Sequence, residues 1–407
     1  MKIYQIGGCV RDELLAKKPH DVDYVVVQSN IDEMLSLGYK QVGKNFPVFL
    51  HPQTKEEYAL ARKEVKTGDK HTDFKFIFDS FVTLEEDIMR RDFTINALAR
   101  DMKTGELIDF VGGLNDIKQK VIRHVNSEHF GEDPLRVLRM CRFAAQLNFT
   151  IAPETMLIAQ KMVAAGMVDY LTPERIWKEI EKALQTEHFE KFIYAARECG
   201  ALNVILPEVN MLWLIPEKLQ HHPEKNSGEH TMLTIIKAAK LSAKIKFALL
   251  LHDIGKIKTP KEILPAHHRH DENGLAVIEQ ICNRLKIPNE YKNFALLCCR
   301  HHMNFYNLLI MKKNKLLDYI DSISRNFKDK KLMTEFIEVC RCDMLGRAKN
   351  IEKEQQISFN SAADLCYEIF NKAKNVHANE MPNFDKLTKN QNFSALYKNY
   401  LLKRIFK

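Results

Sequence analysis

Two aspartates near the start of the chain have the spacing of a metal site. Asp21 and Asp23 open the stretch DVDYVVV, which reads as a β-strand. Side chains two residues apart on a strand point to the same face, so we expect the two carboxylates to project together. Adjacent like charges are costly unless a cation neutralises them, and Mg²⁺ prefers oxygen ligands. The pair therefore predicts a magnesium site; the alternative is an edge strand with two ordinary acids.

A pair of glycines precedes these acids. The strand-like stretch KIYQI runs into Gly7 and Gly8, where absent side chains let the backbone approach phosphate oxygens. A helix that follows would direct its first amides at an anion, and Arg11, one turn in, could hold a triphosphate. Further on, Arg91 in RRDFTINA could hold a triphosphate or a ribose, or be helix-surface charge. With the aspartates, this set favours two-metal nucleotidyl or phosphoryl transfer.

An arginine stripe follows in GEDPLRVLRMCRF, with Arg136, Arg139 and Arg142 three residues apart. Such residues lie on neighbouring faces of a helix, behind the acid Asp133. Asp133 could be only a helix N-cap, and the arginines only a solvated face. Alternatively, a carboxylate beside a guanidinium can read cytosine and adenine, which present the same donor and acceptor order, and reject uracil and guanine, which present the reverse. Asp133 and Arg136 have the chemistry and spacing for this.

A second group of metal-ligating residues lies between residues 228 and 256. His230 precedes an apolar helical run, and His252 and Asp253 end the next one, in LLLHDIGK. These residues supply mixed nitrogen and oxygen ligands for a divalent ion, which can activate water against a phosphate ester. A core helix with a polar end is the alternative. Further candidate ligands are His267, His268, His270, His301, His302 and Asp343.

The elements that must position these residues change in type along the chain. Strand signals lie before about residue 120, in KIYQI, DYVVVQ, FPVFL, EYALA and FKFIF, and the later pattern is helical. The sequence therefore predicts an α+β head followed by a long all-α body. With 407 residues, the chain has room for about two to four domains.

Composition limits the partners and the compartment. The net charge of +8 fits a polyanionic partner such as RNA without demanding one. Neither an apolar leader nor a run of the ~20 apolar residues that span a bilayer is evident, so we expect a cytoplasmic protein without a membrane partner. The nine cysteines include no C-x-x-C pair, and neither a disulfide framework nor a zinc knuckle is indicated.

Taken in order, GGCVRD, HDVD, RRDFTINA, LIDFVGGLNDIKQKVIR, EDPLRVLR and TPERIWKE resemble the motifs of the class II tRNA nucleotidyltransferases, the CCA-adding enzymes. The resemblance implies a polymerase-β-like head with a mixed sheet plus helices, followed by an all-α neck, body and HD domain. It implies that the chain adds C, C and A to tRNA 3′ ends from CTP and ATP, with Mg²⁺ and without a template. The implied domains are the head at 1–123, the neck with base recognition at 124–222, the HD phosphohydrolase domain at 223–350 and a helical tail at 351–407.

The resemblance also assigns roles to residues of the head and neck. It makes Asp21 and Asp23 the catalytic magnesium ligands, and Asp133 and Arg136 the base readers. The implied nucleotide-binding set is Gly8, Arg11, Arg91, Asp133, Arg136 and Arg139. Arg142 has no matching role, and we expect a structural or RNA-facing charge. Residues 62–73 resemble the family's flexible loop, which helps the switch from C to A addition, although RKEV stands where many relatives have RTER.

The later cluster resembles the HD phosphohydrolase superfamily. The matching ligands are His230, His252, Asp253 and Asp343, for a divalent metal that could be Ni²⁺ or another ion. In bacterial CCA-adding enzymes with this domain, it is associated with 2′-phosphatase and 2′,3′-cyclic phosphodiesterase activity on RNA ends.

Three other functions compete with this interpretation. A poly(A) polymerase shares the head, but the HD domain and the compact length of 407 residues favour CCA addition. A protein-modifying uridylyltransferase shares both the head and such a domain, but 407 residues leave little space for the further regulatory domains expected of it. A non-catalytic RNA-binding protein would not need the acids and histidines. We expect a monomer or weak homo-oligomer whose partners are tRNA, ATP and CTP.

Overall fold

The computed structural model describes residues 1–19, 21–42, 48–66, 74–78, 80–218, 224–347, 353–382, 384 and 392–406. The chain divides into two compact units. The first unit comprises Met1–Glu179 and Lys191–Val204, and the second comprises Ile180–Glu190 and Ile205–Lys407.

All described strands belong to the first unit. They are β1 Lys2–Ile6, β2 Asp23–Val27, β3 Lys40–Val42, β4 Val48–Leu50, β5 Glu57–Leu60, β6 Lys63–Lys66, β7 Phe74–Ile77, β8 Ala99–Asp101, β9 Leu107–Ile108, β10 Val121–Ile122 and β11 Thr150–Ile151. Seven of them form a sheet in the order β3-β4-β5-β2-β1-β8-β9. β2 and β5 run parallel and the other neighbours antiparallel, so the sheet is mixed.

The centre of this sheet is apolar on both faces. Val25 and Val27 of β2 pack with Ile6 into one core cluster, whereas Val26 packs with Phe49 into another. A strand buried on both faces explains the unbroken run of valines. β6 lies within the predicted loop at 62–73, so residues 63–66 form a strand, which pairs antiparallel with β7. Residues 67–73 lie outside the described residues.

Helices dominate the rest of the chain. They are α1 Gly8–Leu14, α2 Ile31–Ser36, α3 Leu84–Met89, α4 Gly113–Gln119, α5 Ser127–Phe130, α6 Leu135–Leu147, α7 Pro153–Ala164, α8 Pro173–Leu184, α9 Phe189–Glu198, α10 Ala201–Ile205, α11 Pro207–Met211, α12 Ser227–Lys237, α13 Ala243–Leu251, α14 His270–Arg284, α15 Asn289–Phe305, α16 Lys313–Ile323, α17 Lys330–Leu345, α18 Lys353–Lys374 and α19 Phe393–Ile405. The predicted order, a head with a mixed sheet followed by an all-α body, is confirmed.

One local detail differs from expectation. RRDFTINA was expected to begin a helix, but α3 ends at Met89 and only a single 3-10 turn, Thr94–Asn96, follows. In the described part of the chain, no helix has both the length and the apolarity to cross a bilayer. All nine cysteines are free and buried.

Candidate active sites

Asp21 and Asp23 lie where the central strands of the sheet begin to diverge. Asp23 is the first residue of β2 and faces Ile6, the last residue of β1. The chain then turns at Gly7, whose φ is 86°, so the ladder stops and Asp21 precedes the strand. The prediction that Asp21 lies on the strand is therefore wrong.

The two carboxylates are nevertheless close enough to influence each other. Both residues are exposed. Desolvation raises the pKa of Asp23, Arg91 opposes that shift, and the charge of Asp21 raises the pKa further. Two surface carboxylates that repel each other form a donor set suited to a hard cation such as Mg²⁺.

A cavity of about 190 Å³ opens beside Asp23, and Glu57, Arg90 and Arg91 are among the residues that line it. Glu57 begins β5 and is aligned with Asp23 in the parallel pairing of β5 with β2. The sequence analysis did not identify this third carboxylate, because nothing local in EYALA indicates which strand it joins. The cavity brings carboxylates and guanidinium groups together, as a site for a metal-bound polyphosphate requires.

Arg91, one of the residues that line this cavity, has a guanidinium nitrogen without a hydrogen-bond partner among the described residues. Its Nη2 lies 3.1 Å from Asp87 Oδ2, and its Nη1 donates to the carbonyl of Asn96 at 3.4 Å. Its Nε is buried and has no hydrogen-bond partner among the described residues. A Cβ on Gly7 would lie 3.2 Å from Arg91 Nη1, so the glycine permits this close approach. A buried unpaired N–H beside exposed carboxylates fits an anionic ligand.

Arg11 is more enclosed than its predicted role suggests. Its side chain is buried, with Nη1 donating to Asn96 Oδ1 and Nε donating to Asp12 Oδ1 at 2.8 Å. A Cβ on Gly8 would lie 3.5 Å from Arg11 Nη2. Nη2 lies 2.7 Å from Asp12 Oδ1, so all three guanidinium nitrogens have partners within the protein, which fixes the group at the start of α1.

The first two stripe arginines tie α6 to the head. Arg136 donates to the carbonyls of His129, at 2.5 Å, and Arg90, at 2.7 Å. Arg139 donates to Asp92 Oδ2 through Nε at 2.8 Å and Nη2 at 2.5 Å. Burial would raise the pKa of Asp92, but Arg139 outweighs it and lowers that pKa.

Arg142 has a purely internal partner. Its Nε donates to Glu179 Oε2 of α8 at 2.5 Å, and the two side chains are only 8% and 5% exposed. Of the two expectations for this residue, the structural role applies, since the guanidinium is enclosed.

Asp133 pairs with Arg175, an arginine that no local sequence pattern connects to it. Arg175 Nη2 lies 3.2 Å from both carboxylate oxygens of Asp133. Asp133 Oδ1 also accepts from the backbone N–H of Leu135, the first residue of α6, at 3.0 Å. The side chain therefore supports the helix start and faces a guanidinium at once. About two-fifths of the Asp133 side chain remains exposed, so a ligand can reach it.

The second unit brings the predicted HD residues together. His230 on α12, His252 at the end of α13 and Asp343 on α17 form one buried group, and Asp253 forms another with His270 and His302. Within each group the ligand atoms lie within 4.8 Å of one another. Asp253 Oδ2 is 3.3 Å from His252 Nε2 and 3.9 Å from His230 Nε2, so the two groups adjoin.

Neighbouring side chains hold these ligands in place. His230 Nδ1 is 2.9 Å from Glu224 Oε1, and the hydroxyl of Tyr306 donates to Asp343 Oδ2 at 2.7 Å. Such outer contacts orient metal ligands. Lys256 Nζ lies 2.7 Å from Asp253 Oδ2 and 2.6 Å from Glu217 Oε1.

Charged aspartate and histidine side chains lie close together in this buried cluster and shift each other's pKa values. Burial would lower the pKa of His252, yet Asp253 and Asp343 raise it to about 10. Burial would likewise raise the pKa of Asp343, but His230 and His252 hold it well below its usual value. A site that draws positive charge this strongly has the donor chemistry for a divalent cation.

Three of the candidate histidines lie outside these two groups. His267 Nε2 is 3.0 Å from the carbonyl of Pro216, and His301 packs against Tyr319. Burial lowers the pKa of His301 to about 4. Neither these two nor His268 belongs to a possible metal-binding group among the described residues.

Comparison with known proteins defines the class. The model of the poly A polymerase head domain matches residues 3–123, that of the probable RNA- and SrmB-binding site of polymerase A matches 148–212, and that of the HD domain matches 228–326. The chain is thus a nucleotidyltransferase head joined through an RNA-binding region to an HD domain.

Sequence identity to individual relatives identifies the family within this class. The multifunctional CCA protein of Teredinibacter turnerae is 46% identical over 352 residues, which is 85% of each chain. That of Shewanella frigidimarina is 45% identical over 376 residues, covering 91% of this chain and 89% of the relative. This chain belongs to the family of multifunctional CCA proteins, and is an enzyme of the CCA-adding class. The resemblance read from the motifs is confirmed.

Solved structures agree in fold. A CCA-adding enzyme in complex with ATP has a TM-score of 0.64 at 19% identity, covering 99% of this chain and 86% of its own. The Thermotoga maritima CCA-adding enzyme complexed with tRNA has a TM-score of 0.59 at 20% identity, with 99% and 87% covered.

Proposed function

We propose that the head adds C, C and A to the 3′ ends of tRNA from CTP and ATP without a nucleic-acid template. The observation that carries this proposal is the cavity lined by Asp23, Glu57 and Arg91, with Asp21 two residues before Asp23. Asp21 and Asp23 would hold Mg²⁺, which would supply charge neutralisation for the attacking hydroxyl and the leaving pyrophosphate. Arg91 binds phosphate oxygens, and Gly7 and Gly8 leave room for them.

Base selection is assigned to the start of α6. Asp133 accepts from the amino group of cytosine or adenine, and a guanidinium beside it donates to the ring nitrogen. Arg136 is the proposed donor, and Arg175, which contacts Asp133, orients the carboxylate. Uracil and guanine would meet acceptor with acceptor and donor with donor. Arg139 then faces the nucleotide from its bond to Asp92.

The HD domain is assigned a metal-dependent phosphohydrolase activity on RNA ends that bear a 2′-phosphate or a 2′,3′-cyclic phosphate. Its proposed ligands are His230, His252, Asp253 and Asp343, and a divalent ion that they would hold would supply activation of water. Their imidazole-rich chemistry suits Ni²⁺ or another transition metal better than Mg²⁺.

The proposed domain division is the head at 1–123, the neck at 124–222, the HD domain at 223–350 and the tail at 351–407. The 3.0 Å contact between His230 and Asp343 supports an HD domain that extends beyond residue 326. We further propose that the enzyme acts in the cytoplasm as a monomer or weak homo-oligomer.

Incubation with tRNA that lacks its 3′ end tests the nucleotidyl transfer. The purified protein should extend this tRNA with CTP alone by two residues, add one A once ATP is also present, and use neither UTP nor GTP. The product is read by sequencing. A long tail made from ATP alone would identify a poly(A) polymerase instead.

A further inference from the structure

Tyr306 connects the buried group of His230, His252 and Asp343 with a neighbouring cavity. The residue directly follows α15, and its hydroxyl donates to Asp343 Oδ2 at 2.7 Å. The residue is nevertheless 37% exposed, so its ring reaches the surface while its hydroxyl points to a proposed metal ligand. A ligand that contacts this ring therefore lies next to the proposed metal-binding group.

The cavity beside Tyr306 has a volume of about 140 Å³ and is lined by the ends of α15 and α17 and by α18. Tyr306 and Phe359 contribute aromatic walls, whereas Arg347, Gln355 and Ser358 contribute polar groups. Gln355 and Ser358 lie one turn apart on α18 and are both exposed, so the cavity opens to solvent. A guanidinium, an amide and a hydroxyl can all donate hydrogen bonds, and none of the described lining residues is acidic. This lining fits an anion.

Arg347 differs from a second arginine that packs on a ring nearby. The Cζ of Arg347 lies 5.6 Å from the centre of the Tyr306 ring, and its buried Nε has no hydrogen-bond partner among the described residues. The Cζ of Arg341 lies 4.8 Å from the centre of the Phe359 ring, but its Nε is 3.3 Å from Glu338 Oε1. The charge of Arg341 is therefore paired with a carboxylate, whereas Arg347 lines the cavity.

We propose that this cavity binds the phosphodiester group that precedes the terminal nucleotide of an RNA end. The terminal nucleotide then places its own phosphate at the group that contains Asp343, on the other side of Tyr306. Arg347 supplies the positive charge, since a guanidinium binds phosphate oxygens through parallel N–H groups, and Ser358 adds a donor. The inference rests on the phosphohydrolase function proposed above, and it makes the HD domain selective for RNA ends over free nucleotides.

Hydrolysis of two cyclic phosphates tests this site. One is a mononucleotide 2′,3′-cyclic phosphate, which has no preceding phosphodiester, and the other is a dinucleotide that ends in the same group. Arg347→Met should raise KM for the dinucleotide by about tenfold or more, as expected when a hydrogen bond to a charged group is lost, and leave the mononucleotide unaffected. Arg347→Lys should restore part of the difference. The matched control is Arg341→Met, which should leave both compounds unaffected.

Equal losses with the two compounds would show that Arg347 only supports Tyr306, and would overturn the proposal. A second pair of variants keeps the test open if Arg347→Met fails to fold. Ser358→Glu puts a negative charge into the cavity and should raise KM for the dinucleotide alone. Ser361→Glu is the control, because Ser361 is also exposed on α18 but does not line the cavity. Identical KM values in these two variants would contradict the proposal.

Inorganic phosphate is the other source of the same chemistry. It is added to the assay of the mononucleotide with the wild-type protein and with Arg347→Met. Little inhibition, equal in the two proteins, is expected if the cavity serves the RNA strand. Inhibition that disappears in Arg347→Met would assign the cavity to released phosphate and overturn the proposal.

Crosslinking separates this inference from the phosphohydrolase function. A dinucleotide of 4-thiouridine that ends in a 2′,3′-cyclic phosphate is irradiated with chelator-treated full-length protein, and crosslinked peptides are mapped by mass spectrometry. Crosslinks to α18 are expected in the wild-type protein and in Ser361→Glu, but not in Ser358→Glu. With that result, a wild-type protein that hydrolyses neither compound would refute the phosphohydrolase function alone. Hydrolysis without crosslinks to α18 would refute the cavity alone.

Discussion

The carboxylate of Asp92 accepts two hydrogen bonds from Arg139, with Nε at 2.8 Å and Nη2 at 2.5 Å from the same oxygen. The other carboxylate oxygen of Asp92 accepts from Asn96 at 3.2 Å, and Asn96 in turn accepts from Arg11. A chain of polar contacts thus runs from α1 to α6. It joins the segment that we propose to hold phosphates to α6, the helix that carries the arginine stripe.

This contact predicts a pH-dependent contribution to stability. Arg139 lowers the pKa of Asp92 below its unfolded value, so the stabilisation is present above the unfolded pKa and disappears as the pH falls through the folded one. Asp92→Asn should lower the free energy of unfolding by about 1–3 kcal/mol at pH 7, since Arg139 is partly exposed. The difference from wild type should shrink below about pH 4. Urea titrations at several pH values measure the difference in the free energy of unfolding between wild type and Asp92→Asn. A difference that stays constant with pH would contradict the effect of Arg139 on the pKa of Asp92.

Arg142 and Glu179 form a buried ion pair whose halves depend on each other. Glu179→Leu leaves the guanidinium of Arg142 buried without its carboxylate partner and should lower the free energy of unfolding by roughly 3–5 kcal/mol. The double variant with Arg142→Met removes both charges and should recover most of that loss. Thermal melts of the two single variants and the double variant complete the cycle. Additive losses would mean that the two side chains act independently.

Asp133 is predicted to set base selection. Asp133→Ala should lower the efficiency with CTP and raise the relative use of UTP, out of a discrimination on the order of 10⁴. Arg175→Ala should shift selectivity in the same direction but less, because the carboxylate remains while its orientation loosens; Arg175→Lys is the control. Initial rates with the four nucleotides, beside a melting curve, measure this. A variant of Asp133 that melts early yet keeps full selectivity would show that the residue only starts the helix.

Gly7 is predicted to serve the nucleotide and not merely the turn. Gly7→Ala adds backbone strain of about 1–3 kcal/mol at φ 86° and ψ −134°, and puts a methyl group 3.2 Å from Arg91 Nη1. The matched control is Gly105→Ala, which has a φ of 75° and open space around the new methyl. Both variants should melt earlier, but only Gly7→Ala should raise KM for CTP and ATP. Equal KM values in the two variants would remove Gly7 from the site.

The sequence was informative where chemistry and local pattern coincide. The glycine turn, the valine-rich strand and the LLLHD helix end all have local signals, and the fold class that they predict is confirmed. Contacts between residues far apart in the sequence have no such local signal. Glu179 lies 37 residues from Arg142 and Arg175 lies 42 from Asp133, so no periodicity connects them. For the same reason, the five strand-like stretches did not reveal that β5 runs parallel to β2 and places Glu57 beside Asp23.

The central claim is that the chain contains two active centres, each made of its own residues in its own unit. Asp23→Ala and His252→Ala in the full-length protein test it most directly, with CCA addition to truncated tRNA and hydrolysis of a 2′,3′-cyclic phosphate measured on each preparation. Asp23→Ala should lose addition by at least about a hundredfold and keep hydrolysis, in line with the loss of a catalytic metal ligand. His252→Ala should keep CCA addition and lose hydrolysis. Near-normal CCA addition by a folded Asp23→Ala protein would contradict the account.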